Sequence, residues 1–186
     1  MIYDLPTSVM VDGVSYAIRS DFRDILRIFA AMDDPELTDS EKVYVCLRIF
    51  YEDFKDIPKA DYQEAYHAAM EFIDNGSGNG NAKGGPRTMD WEQDAKLIFP
   101  AINRAAGFEV RAKDYIHWWT FTGYFMEIRD TVYATVLGIR QKKARGKKLE
   151  PWEKEFWQQN RELCQLHPKL TEEEKAEKER LNALLR

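Results

Sequence analysis

The chain has 186 residues, of which 44% are hydrophobic, and this composition excludes a globally disordered protein. Its net charge of −5 is unevenly spread: residues 140–186 carry 13 Lys and Arg against nine Glu, so the first 139 residues are acidic. Two isolated cysteines, and an N-terminus without a basic run followed by an apolar core, fit a reducing compartment better than a secretory route.

Residues 8–18 predict a β-hairpin. Asp12-Gly13 is a strong two-residue turn signal because both positions tolerate positive φ, and hydrophobic residues alternate on either side of it. A lone hairpin is only marginally stable in water. We therefore expect this one to pack on helices or to pair with another chain.

Short amphipathic helices are predicted after the hairpin. The first begins near Asp21 and ends at residues 33–35, where two aspartates precede a proline. Thr38 and Glu41 form a capping box at the start of the second, and residues 74–76 end the third. Short connections between such helices favour an antiparallel bundle, so the predicted fold class is mainly α: a helical bundle with a short N-terminal β-hairpin.

A glycine-rich segment, residues 75–87, interrupts the helices and predicts a flexible loop. It lacks the GxxxxGK[ST] order of a phosphate-binding loop and does not follow a strand. Thr88 is expected to cap a fourth helix that ends at Gly107, with a kink or a break at Pro100.

Residues 114–139 are the most apolar part of the chain. Gly123 and the charges at 127–130 divide this stretch into two predicted helices, about 114–126 and 129–141, and those charges make a membrane span unfavourable. Because several amphipathic helices need a common partner, we expect most of the stretch to be core, with Trp119 as the candidate contact surface. The expected core residues are Trp118, Phe121, Phe125, Val132 and Val136.

The end of the chain differs in composition. A basic run at 141–148 precedes an amphipathic helix that opens at Pro151, a break at His167-Pro168 and a short charged helix. We therefore divide the chain into residues 1–140, the hairpin and bundle with the glycine-rich loop, and residues 141–186, an extension of the same domain.

Patterns that carry catalysis or bind metals are not found in the sequence. The three histidines lie in no HExxH or CxxC-type arrangement, and no GxSxG elbow is present. Cys46 lies in an apolar helical stripe, which indicates a structural thiol, and His117 beside two tryptophans indicates a core or rim histidine. We expect no enzyme activity, no catalytic residue, no metal and no cofactor.

Nucleic-acid binding is the main alternative that the residues themselves suggest. A candidate basic patch could contact phosphates, and Trp152 and Trp157 could stack on bases. The acidic body and the nearby glutamates oppose this interpretation, and a solvated turn between helices is favoured, so nucleic acid is not an expected partner. The patch consists of Arg140, Lys142, Lys143, Arg145, Lys147 and Lys148.

Two segments together resemble a known family. One is residues 5–23, a hairpin leading directly into a helix; the other is Ile116-His-Trp-Trp-Thr-Phe, followed by Ile139-Arg140 and a Lys-rich stretch before a charged helix. They resemble the tail assembly chaperones of phages and prophages with long flexible tails, which are encoded beside the tape-measure protein.

The resemblance implies a protein that covers the apolar stripes of the helical tape-measure protein until the tail tube closes around it. The implied partners are the tape-measure protein, the tail tube protein and further copies of the chain, in the cytoplasm of the bacterial host and not in the mature virion. A structural tail component is the remaining alternative. The candidate protein-binding residues are Trp119, Trp118, Tyr115, Tyr124, Trp152 and Trp157.

Overall fold

The computed structural model describes residues 4–75 and 86–184 and confirms a mainly α fold with a two-stranded antiparallel hairpin. Strands β1 (Ser8–Val11) and β2 (Val14–Ala17) flank the predicted turn, in which Asp12 has φ 45° and Gly13 has φ 77°. The backbone N–H of Asp12 donates to Glu64 at 3.0 Å, so the hairpin packs on a helix as expected.

The helices follow one another with short connections, except where residues 76–85, which hold most of the predicted glycine-rich loop, lie outside the described residues. Short 3-10 segments at 54–56, 59–61 and 110–112 link some of them. The α-helices are α1 (Phe22–Met32), α2 (Asp39–Phe50), α3 (Tyr62–Ile73), α4 (Ala95–Ala106), α5 (Trp118–Met126), α6 (Val132–Ala144), α7 (Pro151–Gln159), α8 (Arg161–Cys164) and α9 (Glu172–Leu184).

Some helix ends depend only on residues within one turn of the end. These ends lie where the sequence predicts them. The Asp21 side chain caps α1 through the N–H of Arg23, and the capping box of Thr38 and Glu41 forms at α2. Gly107 ends α4 in the left-handed conformation, with φ 79°.

The start of α4 differs from the prediction that Thr88 caps it. The helix begins at Ala95, because the buried carboxylate of Asp90 accepts the N–H groups of Glu92 and Gln93 and folds residues 91–94 into a turn. Pro100 lies inside α4, and the helix nevertheless continues to Ala106, so the proline does not break it.

The predicted core residues of the 114–139 stretch mostly occupy the core. Trp118, Phe121 and Val136 are buried, and Phe125 is half-buried with its ring centroid 5.0 Å from that of Trp91. The expectation for Val132 is wrong: it is 50% exposed, because it opens α6 on the solvent side and the next residue, Tyr133, takes the buried position.

Arg140 is not part of an exposed basic patch. Its side chain is 6% exposed and forms a bidentate ion pair with the buried carboxylate of Asp94, at 2.7 and 2.9 Å. Its remaining N–H groups donate to backbone carbonyls, those of Thr88, Leu163 and Cys164. All five guanidinium donors are therefore used, and they join α6 to the turn before α4 and to α8.

Across residues 4–75 and 86–184, none of the helices combines the length and the apolar character needed to cross a membrane.

Replacing Arg140 should destabilise the fold strongly. Arg140→Ala leaves the carboxylate of Asp94 buried without a cation, and we expect the free energy of unfolding to fall by about 3–5 kcal/mol in chemical denaturation. Arg140→Lys should recover little, because a lysine cannot satisfy the carbonyls and the carboxylate together. The control Arg145→Ala, at an exposed position, should stay within about 0.5 kcal/mol of the wild type; equal effects at the two positions would contradict this account.

The two cysteines should be unreactive in the folded protein. Burial raises the pKa of the Cys46 thiol to about 12 and also raises the pKa of Cys164, so little thiolate exists near neutral pH. A chromogenic disulfide reagent at about pH 8 should react with neither thiol in native protein and with both after unfolding in guanidinium chloride. Rapid modification of native protein would show that one of these sites opens.

Candidate functional site

Two adjacent tryptophans cap the end of α3. The indole N–H of Trp118 donates to the carbonyl of Ile73 at 2.8 Å, and that of Trp119 donates to the carbonyl of Phe72 at 2.9 Å. Carbonyls in the last turn of a helix have no partner four residues ahead within the helix. The Trp-Trp pair therefore fixes the start of α5 against the end of α3.

His117 connects the N-terminal segment to the same place. Its Nδ1 accepts the backbone N–H of Trp119 at 3.0 Å, so the ring proton belongs on Nε2, which donates to the carbonyl of Pro6 at 3.0 Å. The side chain is buried, in line with the structural interpretation of this histidine. A neutral imidazole thus caps α5 and holds Pro6 beside Trp119.

A surface groove of about 310 Å³ lies between β1, α3 and α5, and we name it the Trp119 groove. The ring of Trp119 stacks on that of Phe72, with centroids 5.6 Å apart and 27° between the planes. Because its indole N–H is already bonded, half-buried Trp119 offers only apolar contact to a partner. The lining residues are Pro6, Val9, Met10, Ala68, Glu71, Phe72 and Trp119.

The N-terminal part of the chain carries several exposed apolar side chains. Met10, in the groove lining, is 59% exposed, and Leu5 and Val14 are 48% and 52% exposed. An exposed apolar groove is typical of a surface that binds another protein.

A second apolar groove, of about 420 Å³, lies between α1 and α4 and includes Phe22, Trp91 and Phe99. Arginine side chains cover part of its floor: the guanidinium carbon of Arg23 lies 4.5 Å from the centroid of Phe22, and that of Arg111 lies 4.7 Å from the centroid of Phe99. Within the described residues, no such cation covers the floor of the Trp119 groove. We therefore regard the Trp119 groove as the better candidate for a protein-binding site.

The other predicted protein-binding residues do not lie in the Trp119 groove. Trp118 lies in the core. Tyr115 is 53% exposed, and its hydroxyl forms a hydrogen bond of 2.8 Å with the hydroxyl of Ser20. Half-buried Tyr124 packs edge-on against Phe108, with ring centroids 6.0 Å apart. Trp152 and Trp157 are on α7, a separate part of the surface.

The predicted basic patch is smaller than the sequence suggests. Lys142, like Arg140, has an acidic partner within the chain. Its Nζ donates to the buried Glu153 at 2.6 Å, and this hydrogen bond lowers the pKa of the Glu153 carboxyl. Lys143 lies over the ring of Trp157, 3.3 Å from its centroid. The patch that remains on the surface consists of Lys143, Arg145, Lys147 and Lys148.

The groove residues that sequence reasoning missed are Pro6, Val9, Met10, Ala68, Glu71 and Phe72. Phe72 carried a usable signal, since it lies three and seven residues after the buried Ala69 and Ala65 on the same helical stripe. Pro6 carried none, because its place depends on a hydrogen bond to a histidine 111 residues away.

Residues within the described ranges contain no group of three or more His, Cys, Asp or Glu that could hold a metal ion. The Trp119 groove itself has one ionisable lining residue, Glu71. Its chemistry is therefore that of apolar recognition.

Comparison with known proteins gives a match to a protein family. Residues 1–166 match the family model described as Bacteriophage Gp15 protein, which leaves α9 beyond the matched region. Neither the curated proteins nor the solved structures contain a significant match to the chain.

Truncating Trp118 should destabilise the fold. Trp118→Ala removes a buried ring and leaves the carbonyl of Ile73 without this donor, so we expect a loss of about 3–5 kcal/mol in the free energy of unfolding, measured by denaturant titration. Trp119→Ala, at the half-buried position, should cost clearly less. A larger loss for Trp119 would show that its ring, rather than that of Trp118, belongs to the core.

Proposed function

Because the chain belongs to the bacteriophage Gp15 protein family, we propose that it is a tail assembly chaperone that binds and solubilises the tape-measure protein. We further propose that it helps to recruit tail tube subunits, that it acts in the cytoplasm of the bacterial host, and that it does not remain in the mature virion. In this proposal it is not an enzyme, and it works through protein contacts without a cofactor, nucleic acid or membrane.

The observation that carries the proposal is the Trp119 groove. An amphipathic helix is recognised when its apolar face lies in an apolar groove. Trp119 and Phe72 supply a flat aromatic floor, and the flexible thioether side chain of Met10 supplies an adaptable wall. Such a surface accepts different apolar side chains in turn, as binding along the length of a tape-measure helix requires.

The size of the groove supports reversible binding. A volume of about 310 Å³ accommodates only a few side chains, so one copy buries a small apolar area and binds weakly. Several copies along one long helix would together cover it, and each would still be able to leave when the tube subunits arrive.

Met10 provides the sharpest test of the groove. Met10→Glu places a charge in its wall, and we expect it to reduce the amount of co-eluting tape-measure fragment about tenfold after co-expression, since desolvating the carboxylate opposes binding. Trp119→Ala should act in the same direction. The readouts are the soluble yield of the fragment and its co-elution in size-exclusion chromatography.

Met126→Glu is the matched control, because Met126 is 69% exposed and is not part of the groove lining. It should leave both the solubility and the co-elution of the fragment unchanged. An insoluble fragment with the wild-type protein, or an equal loss with both methionine variants, would refute the proposed function. Detection of the chain in purified virions by mass spectrometry would support a structural tail component instead.

A further inference from the structure

We propose that helix α9 of one copy docks on the face of α7 around Trp157 in a second copy, so that the protein associates with itself through two different surfaces. This inference does not depend on binding of the tape-measure protein. It concerns a helix that lies outside the region matched by the family model.

The first surface is a pocket with a basic edge, and we name it the Trp157 face. A cavity of about 320 Å³ is lined by Trp157, Gln158 and Arg161. Lys143 lies against the Trp157 ring, and the turn that follows α6 adds exposed basic side chains. The charged members of the face are Lys143, Arg145, Lys147, Lys148 and Arg161.

These cations are mostly free of acidic partners. Among the described residues, no ion pair is formed by Lys143, Arg145, Lys147, Lys148 or Arg161. The nearby Glu153 does not neutralise them, since its carboxylate is occupied by Lys142 and by the backbone N–H of Glu150. The face therefore favours an acidic partner that also carries an apolar side chain.

Helix α9 has that chemistry. It contains five glutamates against three basic residues, and its described side chains, residues 172–181 and 183, are all exposed. Glu173, Glu177 and Leu181 follow one another at i, i+4 and i+8 and so share one side of the helix. Leu181 is 54% exposed, and it lies about 12 Å along the helix axis from Glu173.

The apolar and charged groups follow one another in the same order on α9 and on the Trp157 face. With Leu181 in the pocket beside Trp157, the two glutamates one and two turns earlier can reach the cations of the turn after α6. Neither Glu173 nor Glu177 has an ion-pair partner in the described part of its own copy.

The same copy is a poor source of this helix, because the segment before α9 is tied to another part of the molecule. The N–H of His167 donates to Gln93 at 2.9 Å, Lys169 pairs with Glu92 at 2.6 Å, and the N–H of Glu172 donates to Glu36 at 2.6 Å. Folding α9 back onto its own α7 would break these contacts. A second copy can supply the helix without breaking them.

Because the contact joins unlike surfaces, each copy has one donor surface and one acceptor surface. Such head-to-tail contacts produce rings if the rotation closes and open chains if it does not. Sedimentation velocity on the full-length protein, over a concentration series, should show association at low salt that weakens as the salt concentration rises and screens the charges.

Reciprocal charge reversal tests the pairing directly. Lys147→Glu/Lys148→Glu makes the turn after α6, residues 145–148, acidic, and Glu173→Lys/Glu177→Lys makes α9 basic; each variant alone should associate about tenfold more weakly than the wild type. An equimolar mixture of the two variants should associate again, because the acidic turn of one variant then meets the basic α9 of the other, while the unchanged α9 meets the unchanged Trp157 face. All four positions are exposed, so circular dichroism should show unchanged folding.

Lys55→Glu/Lys59→Glu is the matched control for Lys147→Glu/Lys148→Glu, since it makes the same change in net charge at exposed positions away from both surfaces and should leave association unchanged. The proposal is overturned if the wild type stays monomeric at low salt, if the control weakens association as much as the other variants, or if the mixture stays monomeric. Salt-dependent binding of a labelled single-stranded oligonucleotide, lost in Lys147→Glu/Lys148→Glu without any self-association, would instead assign the Trp157 face to nucleic acid.

Discussion

Two hydrogen bonds, from indole N–H groups to the carbonyls at the end of α3, fix the position of α5 in this molecule. Trp118 and Trp119 are neighbours at the start of α5, and successive residues of a helix point about 100° apart. One ring therefore enters the core against Phe29, Trp91 and Phe121, while the other lies at the surface. The same pair of hydrogen bonds thus sets both the packing of the bundle and the floor of the Trp119 groove.

The surface divides into regions with different chemistry. The Trp119 groove and the exposed hairpin side chains are almost uncharged, whereas the Trp157 face combines a ring with several cations. Apolar contact favours tolerance of many partner sequences, and charge favours orientation and selection of one partner. In the function and the self-association that we propose, the first kind of surface suits binding along the tape-measure helix and the second suits contact between copies.

Prediction from the sequence succeeded where the determining residues are close together in the chain. The Asp12-Gly13 turn, the capping box of Thr38 and Glu41 and the stop at Gly107 each depend on side chains or backbone preferences within one turn. The helical pattern also placed most of the 114–139 stretch in the core.

The predictions that failed depend on distant partners. Thr88 looked like a helix cap, but the buried carboxylate of Asp90 organises the turn instead, and Arg140 looked like a surface cation until Asp94 supplied its partner 46 residues away. Periodicity held a signal for Arg140, since it falls seven residues after buried Tyr133 and four after buried Val136. Trp119 and Phe72 each carried a sequence signal, but the groove that they form with Met10 could not be anticipated, because it depends on how β1 packs on α3.

The guanidinium of Arg140 also determines how the molecule opens. Its N–H groups donate to the segment before α4, to the carboxylate of Asp94 and to the end of α8. If any one of these partners separated from Arg140, a buried charge would lose a hydrogen-bond partner. Separation of α8 from α6 is therefore cooperative rather than gradual. In amide hydrogen exchange, α6, α8 and the first turn of α4 should behave as one unit that opens with a single free energy, while α9 frays independently.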